Sequence, residues 1–261
     1  MNKVIFFCPA GREPVLSIQV KYIQKLLDLD IVHEYHIWNF AWTHHDSKYI
    51  ETLSNLHPKI KIKSSPFHGG ERGNDVASKQ FAYMFYDFYK YDEYKDYVFI
   101  KIDDDIVFVD TNSFEKFIDF RLNSSAFLCS ANVINNDQGV FYYKNGFEII
   151  HNDFINNYQS ILEKNSNKHA CYYSLEERLS INFISFLGKD LKHINEEFSN
   201  GVGSNDEWRI CNIIPNKLNK TNEICLFMTV VHYAYGGVID KKYLPYYERI
   251  CSFNHLYPLE S

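Results

Sequence analysis

The sequence predicts an α/β fold: one domain of 261 residues built on a mainly parallel central sheet flanked by helices. Three observations predict it. Apolar runs of strand length alternate with helix-period stretches through the first hundred residues. Polar, glycine- or aspartate-bearing segments sit where the strands of such a sheet would end. The composition, 46% hydrophobic and 23% charged, is that of a globule large enough to bury a core. No repeat, low-complexity tract or Pro- and Gly-rich linker divides the chain, so a single domain is expected, with residues 1–110 as one half and a less regular 111–261 as the other.

Residues 4–8 (VIFFC) form a continuous apolar run, read as a first buried strand. Pro14 suits the first turn of a helix, and Val15, Ile18, Tyr22, Leu26 and Leu29 follow at helical spacing. Residues 35–40 (YHIWNF) read as the second strand, 48–56 as a helix, and 59–63 (KIKIK) as an alternating edge strand. A polar loop, HGGERGNDVASKQ, leads into a helix carrying Phe81, Met84, Phe85 and Phe88. Residues 97–102 (YVFIKI) are a strand that runs into Asp103-Asp104-Asp105. Beyond it, 126–132 (AFLCSAN) and 225–232 (CLFMTVVH) read as strands and 175–187 as a helix, while 135–170 are hard to place.

Composition excludes several function classes. Lys plus Arg number 27 and Asp plus Glu 33, a net charge of −6, so there is no basic surplus for a nucleic-acid backbone. No segment approaches the ~20 apolar residues of a membrane span. The first run, interrupted by Pro9, Gly11 and Arg12, is too short for a signal sequence. The cysteines at 8, 129, 171, 211, 225 and 251 form no CxxC pair, and Cys8 and Cys129 lie in apolar runs. A cytoplasmic protein, at most peripheral at a membrane, is expected.

The acid triplet is the chemical signal. Three consecutive carboxylates bracketed by IKI and IVFV oppose folding unless a cation or hydrogen-bond donors compensate. In extended backbone, residues i and i+2 share a side, so Asp103 and Asp105 are expected to reach one ion with Asp104 pointing elsewhere. Hard carboxylate oxygens select Mg²⁺ or Mn²⁺, shared with a phosphate-bearing substrate. Such an ion stabilises a departing phosphate.

FIKIDDDIVFVD resembles the DxD element of GT-A-fold glycosyltransferases, which use nucleotide-sugar donors. SANVINN, NDEW and the apolar strand ending in TVVHYAYGG also resemble small enzymes of this kind, of the type found in bacterial surface-polysaccharide loci and large DNA viruses. The resemblance implies a GT-A-like fold, Mn²⁺ or Mg²⁺, a nucleotide-diphosphate sugar donor and a glycan or glycoconjugate acceptor. It implies that Asp105 is the principal metal ligand and Asp103 its partner or a ribose contact. Asp104 would face the donor sugar.

His232, at the end of an apolar strand, matches the late histidine that many such enzymes add as a metal ligand; a hydrogen-bonded core histidine is the plainer alternative. Asp206-Glu207 resembles the acidic pair of inverting members, one of which deprotonates the acceptor hydroxyl. Ser204 to Glu207 also reads as a helix capping box, S-x-x-E. Pro9, Gly11 and Arg12 follow the first strand, where nucleotide would bind, Gly11 allowing close backbone approach and Arg12 offering charge to phosphate. Arg72, Asn74 and Lys79 are candidates for base or diphosphate contacts. Trp208, Tyr233 and Tyr235 could stack on an acceptor sugar, although core packing is the commoner use of aromatics.

Two other readings fit parts of the pattern. IKIDDDIV matches the D-x-D-x-V of HAD-type phosphatases with Asp103 as nucleophile, although the motif comes late and no GDxxxD follows. A non-catalytic sugar-nucleotide-binding module would bind the donor and release nothing.

Overall fold

The computed structural model describes residues 3–41, 43–64, 84–134, 147–173, 179, 181–199, 206–233 and 241–256. Their strands are β1 (Lys3–Ala10), β2 (Glu34–Asn39), β3 (Ile60–Ser64), β4 (Tyr97–Ile102), β5 (Ile106–Val109), β6 (Leu128–Ile134), β7 (Ala170–Tyr173), β8 (Phe183–Leu187) and β9 (Asn222–His232). The helices are α1 (Glu13–Asp28), α2 (His44–Thr52), α3 (Tyr91–Tyr94), α4 (Phe114–Asn123), α5 (Phe147–Ser166), α6 (Leu191–Ser199), α7 (Asp206–Trp208), α8 (Ile214–Lys217) and α9 (Leu244–Leu256).

One sheet of the order β3-β2-β1-β4-β8-β6-β9-β5 runs through the described residues, with β7 paired to β9 off this path. β3, β2, β1 and β4 are mutually parallel. β8 is antiparallel to both of its neighbours, and β5 is antiparallel to β9. The expected α/β fold with a mostly parallel sheet is therefore present, and β3 is an edge strand as its alternation predicts.

Side-chain alternation divides the core. Val4, Phe6, Cys8 and Ala10 of β1 pack on one face with α1, α4 and α9. Ile5 and Phe7 pack on the other with Tyr86, Tyr89, Phe186 and the buried residues of α6. Such a strand, buried on both faces, reads as a continuous apolar run because period 2 feeds two cores at once.

Pro14 stands in the first turn of α1, and Val15, Ile18, Tyr22 and Leu26 are buried. Leu29, counted with them in sequence, lies past the helix and is 59% exposed. The helix expected over 175–187 is not what forms at its end: Phe183–Leu187 is a strand in the middle of the sheet, every residue buried. Residues 174–178 and 180 lie outside the described residues. A short apolar run covered on both faces carries no period that separates strand from helix. Within 135–170, the unplaced stretch contains the 20-residue α5. The six cysteines are free, and all but Cys171 are buried.

Candidate functional site

The triplet sits beyond the carboxyl end of β4, in the tight connection to β5 rather than in an extended strand. Ile106 N–H donates to the Asp103 carbonyl (3.2 Å), closing the turn. The i, i+2 geometry expected from the sequence therefore does not hold: Asp103 turns one way, and Asp104 and Asp105 share a cation on the other. Buried Gln19 of α1 fixes the turn from below, donating from Nε2 to the Asp103 carbonyl. Tyr35 Oη in turn donates to Gln19 Oε1 (2.6 Å).

On one side, Lys101 Nζ pairs with Asp103 Oδ1 and donates to the Ile181 carbonyl (3.0 Å). Asn182, placed opposite Asp103 by the β4–β8 pairing, donates from Nδ2 to Asp103 Oδ2 (2.8 Å). Lys101 is 2% exposed. Burial works against its charge, but Asp103, Asp206 and Glu207 outweigh burial and hold its pKa above the usual lysine value. Asp206 and Glu207 open α7, which passes directly into a π-helical stretch, Arg209–Ile213. Burial raises the Asp206 pKa; Lys101 pulls it back, Asp103 and Glu207 push it up again, and the net shift is upward. The acidic pair from a distant part of the chain thus faces the same lysine as Asp103. Ser204, the first member of the expected capping box, lies outside the described residues.

On the other side is Arg12, the residue before α1. Its backbone is extended, and its side chain makes no helix cap. Its guanidinium pairs instead with Asp104, Nε lying 3.2 Å from both carboxylate oxygens, and its terminal nitrogen also reaches Asp105 Oδ2 (2.8 Å). Gly11 N–H donates to Asp104 Oδ2 (2.8 Å). His232 Nε2 lies 3.1 Å from Asp105 Oδ2. This contact follows from topology: His232 pairs with Ile106 across β5 and β9, and Tyr233 N–H donates to the Asp105 carbonyl (2.8 Å).

Burial raises the Asp104 pKa, and Arg12 and Gly11 only partly oppose it. Burial also works against ionised Asp105, but His232 and Arg12 outweigh it and hold this carboxyl down at about 2. Burial disfavours the Arg12 charge, which Asp104 and Asp105 more than restore, so its pKa stands above the usual arginine value.

Donors reach five of the triplet's six carboxylate oxygens: both of Asp103, both of Asp104, and Oδ2 of Asp105. Asp105 Oδ1 is buried and accepts nothing. Such an orphan is costly, since an unsatisfied buried charged oxygen keeps its desolvation penalty. Among the described residues no three His, Cys, Asp or Glu side chains converge as a ready ligand set. One carboxylate oxygen and one imidazole do suit Mn²⁺ or Mg²⁺, ions commonly held by one or two protein groups with the rest from phosphate and water.

The other sequence candidates divide. Pro9 lies within β1, just before Gly11 and Arg12. Arg72, Asn74, Lys79 and Tyr235 lie outside the described residues. Trp208 is 38% exposed beside the acidic pair. Tyr233 is buried, its ring against His151, Tyr243 accounting for a further stack on that histidine, so it belongs to the core. Sequence reasoning missed Lys101, Asn182 and Gln19. Only Lys101 carried a signal: a lysine inside an otherwise apolar strand.

The sequence matches no protein-family model and no curated protein. The structure is similar to that of GalNAc-T7, solved with UDP, GalNAc and Mn²⁺, at TM-score 0.56 and 9% identity, covering 98% of this chain and 48% of that one. It is similar to a mannosyltransferase from Pyrobaculum calidifontis, solved with GDP-Man and Mn²⁺, at TM-score 0.51 and 13% identity, covering 97% of this chain and 61% of that one. The chain thus spans about half to three fifths of the length of these proteins. At these identities the likeness defines the fold, which is GT-A-like, as the DxD resemblance implies.

Proposed function

We propose that this chain is a metal-dependent glycosyltransferase. It moves a sugar from a nucleotide-diphosphate sugar to a hydroxyl of a glycan or glycoconjugate acceptor, in surface-polysaccharide or glycoconjugate synthesis. The observation that carries the reading is the buried, unpartnered Oδ1 of Asp105, next to His232 and Arg12 at the carboxyl end of β4. The GT-A-like solved structures named above hold Mn²⁺ with a nucleotide or nucleotide sugar.

In this proposal Asp105 and His232 hold Mn²⁺ or Mg²⁺. A bound divalent ion supplies neutralisation of the charge that develops on the leaving diphosphate. Asp103, tied to Lys101 and Asn182, shapes the turn rather than ligating the ion. Arg12 stands at the positive N-terminal end of the 16-residue α1, a position that favours phosphate. Pro9 and Gly11 line the approach of the nucleotide, and Asp104 fixes Gly11 and Arg12 there. Arg72, Asn74 and Lys79 are proposed as base or diphosphate contacts on sequence grounds alone.

Asp206 or Glu207 receives the acceptor's hydroxyl proton. The acceptor oxygen bonds to the anomeric carbon, the bond from that carbon to the diphosphate oxygen breaks, and its electron pair leaves on the diphosphate. Burial raises the Asp206 pKa, which favours proton uptake on that carboxylate, and the outcome is inversion. The phosphatase alternative needs Asp103 free to attack phosphorus, yet both its oxygens are engaged. No described helix is long and apolar enough to cross a membrane.

The test is a thermal-shift panel of nucleoside diphosphates and nucleotide sugars, with and without Mn²⁺, followed by assay of diphosphate release with glycan acceptors. Stabilisation by one nucleotide only when Mn²⁺ is present, and release that needs an acceptor, are expected. Binding with no release for any acceptor would leave a binding module. No stabilisation by any member would remove the proposal.

A further inference from the structure

The site proposed for a divalent ion already holds a cation of its own. Arg12 is mostly buried, and its terminal guanidinium nitrogen bridges Asp104 Oδ1 and Asp105 Oδ2. Asp105 Oδ2 is therefore shared by Arg12 and His232, and only Oδ1 is open. A divalent ion at Oδ1 would sit a few ångströms from that guanidinium. Two like charges at such spacing repel by several times the thermal energy, even at the effective dielectric near ~20 of a protein site.

The remaining contacts let the guanidinium give way without leaving. Arg12 Nε stays within 3.2 Å of both Asp104 oxygens, and Gly11 N–H anchors Asp104 independently at 2.8 Å. Rotation about this anchored end can detach the terminal nitrogen from Asp105 while Asp104 keeps its partner.

Resting on the glycosyltransferase reading, we infer that Arg12 is the resident counter-cation of the metal site and an interlock on it. The ion settles at Asp105 only as Arg12 releases that carboxylate, and the released nitrogen is then taken up by the diphosphate that arrives with the ion. Metal alone binds against the guanidinium. Metal with diphosphate binds without that opposition, because the phosphate charge accepts the displaced cation. Ion and nucleotide therefore strengthen one another's binding, and the coupling is reciprocal.

The experiment is calorimetric titration of the full chain with Mn²⁺ alone and with Mn²⁺ in the presence of UDP or GDP, for the natural protein and Arg12→Met. The expected result is Mn²⁺ alone binding about tenfold tighter to Arg12→Met than to the natural protein, as removal of an adjacent positive charge requires. The diphosphate should then no longer sharpen Mn²⁺ binding. Equal or weaker Mn²⁺ binding by the variant overturns the interlock and leaves the metal reading intact. Absence of Mn²⁺ binding to either protein, with and without UDP or GDP, overturns both. Should Arg12→Met not fold, Arg12→Gln serves in its place. The natural protein gives an independent readout: the Arg12 Nε–H NMR signal must move when Mg²⁺ and the binding diphosphate are added together. An unmoved signal overturns the interlock.

Discussion

Two corners of one turn handle buried charge in opposite ways. At the Asp103 corner, Lys101 and Asn182 satisfy both carboxylate oxygens, and Lys101 also reaches a backbone carbonyl. At the Asp104–Asp105 corner, Arg12, Gly11 and His232 satisfy three oxygens and leave the fourth with none. The first is closed, so its cation serves the architecture and the field felt by Asp206 and Glu207. The second is short of one positive partner, and such a deficit marks a place for something to bind. Three adjacent aspartates of identical chemistry thus acquire different roles from the donors that the fold brings to each.

Breaking the open corner should have the largest effect. Asp105→Asn keeps the shape and removes the charge, and is expected to lower Mn²⁺-dependent diphosphate release by about a thousandfold or more. Circular dichroism checks that the fold persists; near-natural turnover would end the assignment. Next, Asp206→Asn should cost about a hundredfold in kcat through loss of the proton acceptor, with Mn²⁺ affinity unchanged. A matched fall in Mn²⁺ affinity would mean that the two corners are one site.

Lys101→Met sharpens the comparison from the closed side. It leaves Asp103 without its cation and should cost about 3 kcal/mol in urea unfolding, as breaking a buried ion pair does. Added Mn²⁺ should not restore that loss, whereas it should restore much of what Arg12→Met loses. Equal rescue of the two variants would erase the distinction. His232→Gln is expected to weaken Mn²⁺ binding by about tenfold in calorimetry.

The smallest effect is on acid stability. The folded-state pKa of Asp105, about 2, lies below the unfolded value near ~3.9. Its contribution is therefore present above about pH 4 and is lost as pH falls toward 2. Asp104, raised by burial, contributes with the opposite sign. The metal-free protein should lose at most about 2 kcal/mol through Asp105 in this window, and Asp105→Asn should flatten that part of the urea-midpoint profile against pH.

Legibility followed the range of the forces involved. β4 was readable to the residue, because YVFIKI is apolar, short and ends on charge. α1 was readable from Pro14 and the 3.6-residue spacing. β8 was misread, because a strand buried on both faces has no polar period to betray it. In the site, the triplet and His232 stood out as residue types in unusual places. Alternation itself puts Lys101 and Asp103 on one side; it failed only where it was carried on to Asp105, beyond the turn. Asn182 and Gln19 gave no signal at all: each is an ordinary amide until β8 and α1 bring it to the triplet.

The sequence by itself determined the layered α/β architecture, the place of the acid triplet at a strand end and the need for positive charge beside it. These follow from local rules, since hydrophobic period and like-charge repulsion act between near neighbours in the chain. Only the tertiary structure decided which aspartate meets which cation. Arg12 lies 92 residues from Asp104, and Asn182 lies 79 from Asp103. Hydrogen bonds act over about 3 Å, so the order of the strands, and not the order of the residues, selects the carboxylate oxygen that is left without a partner.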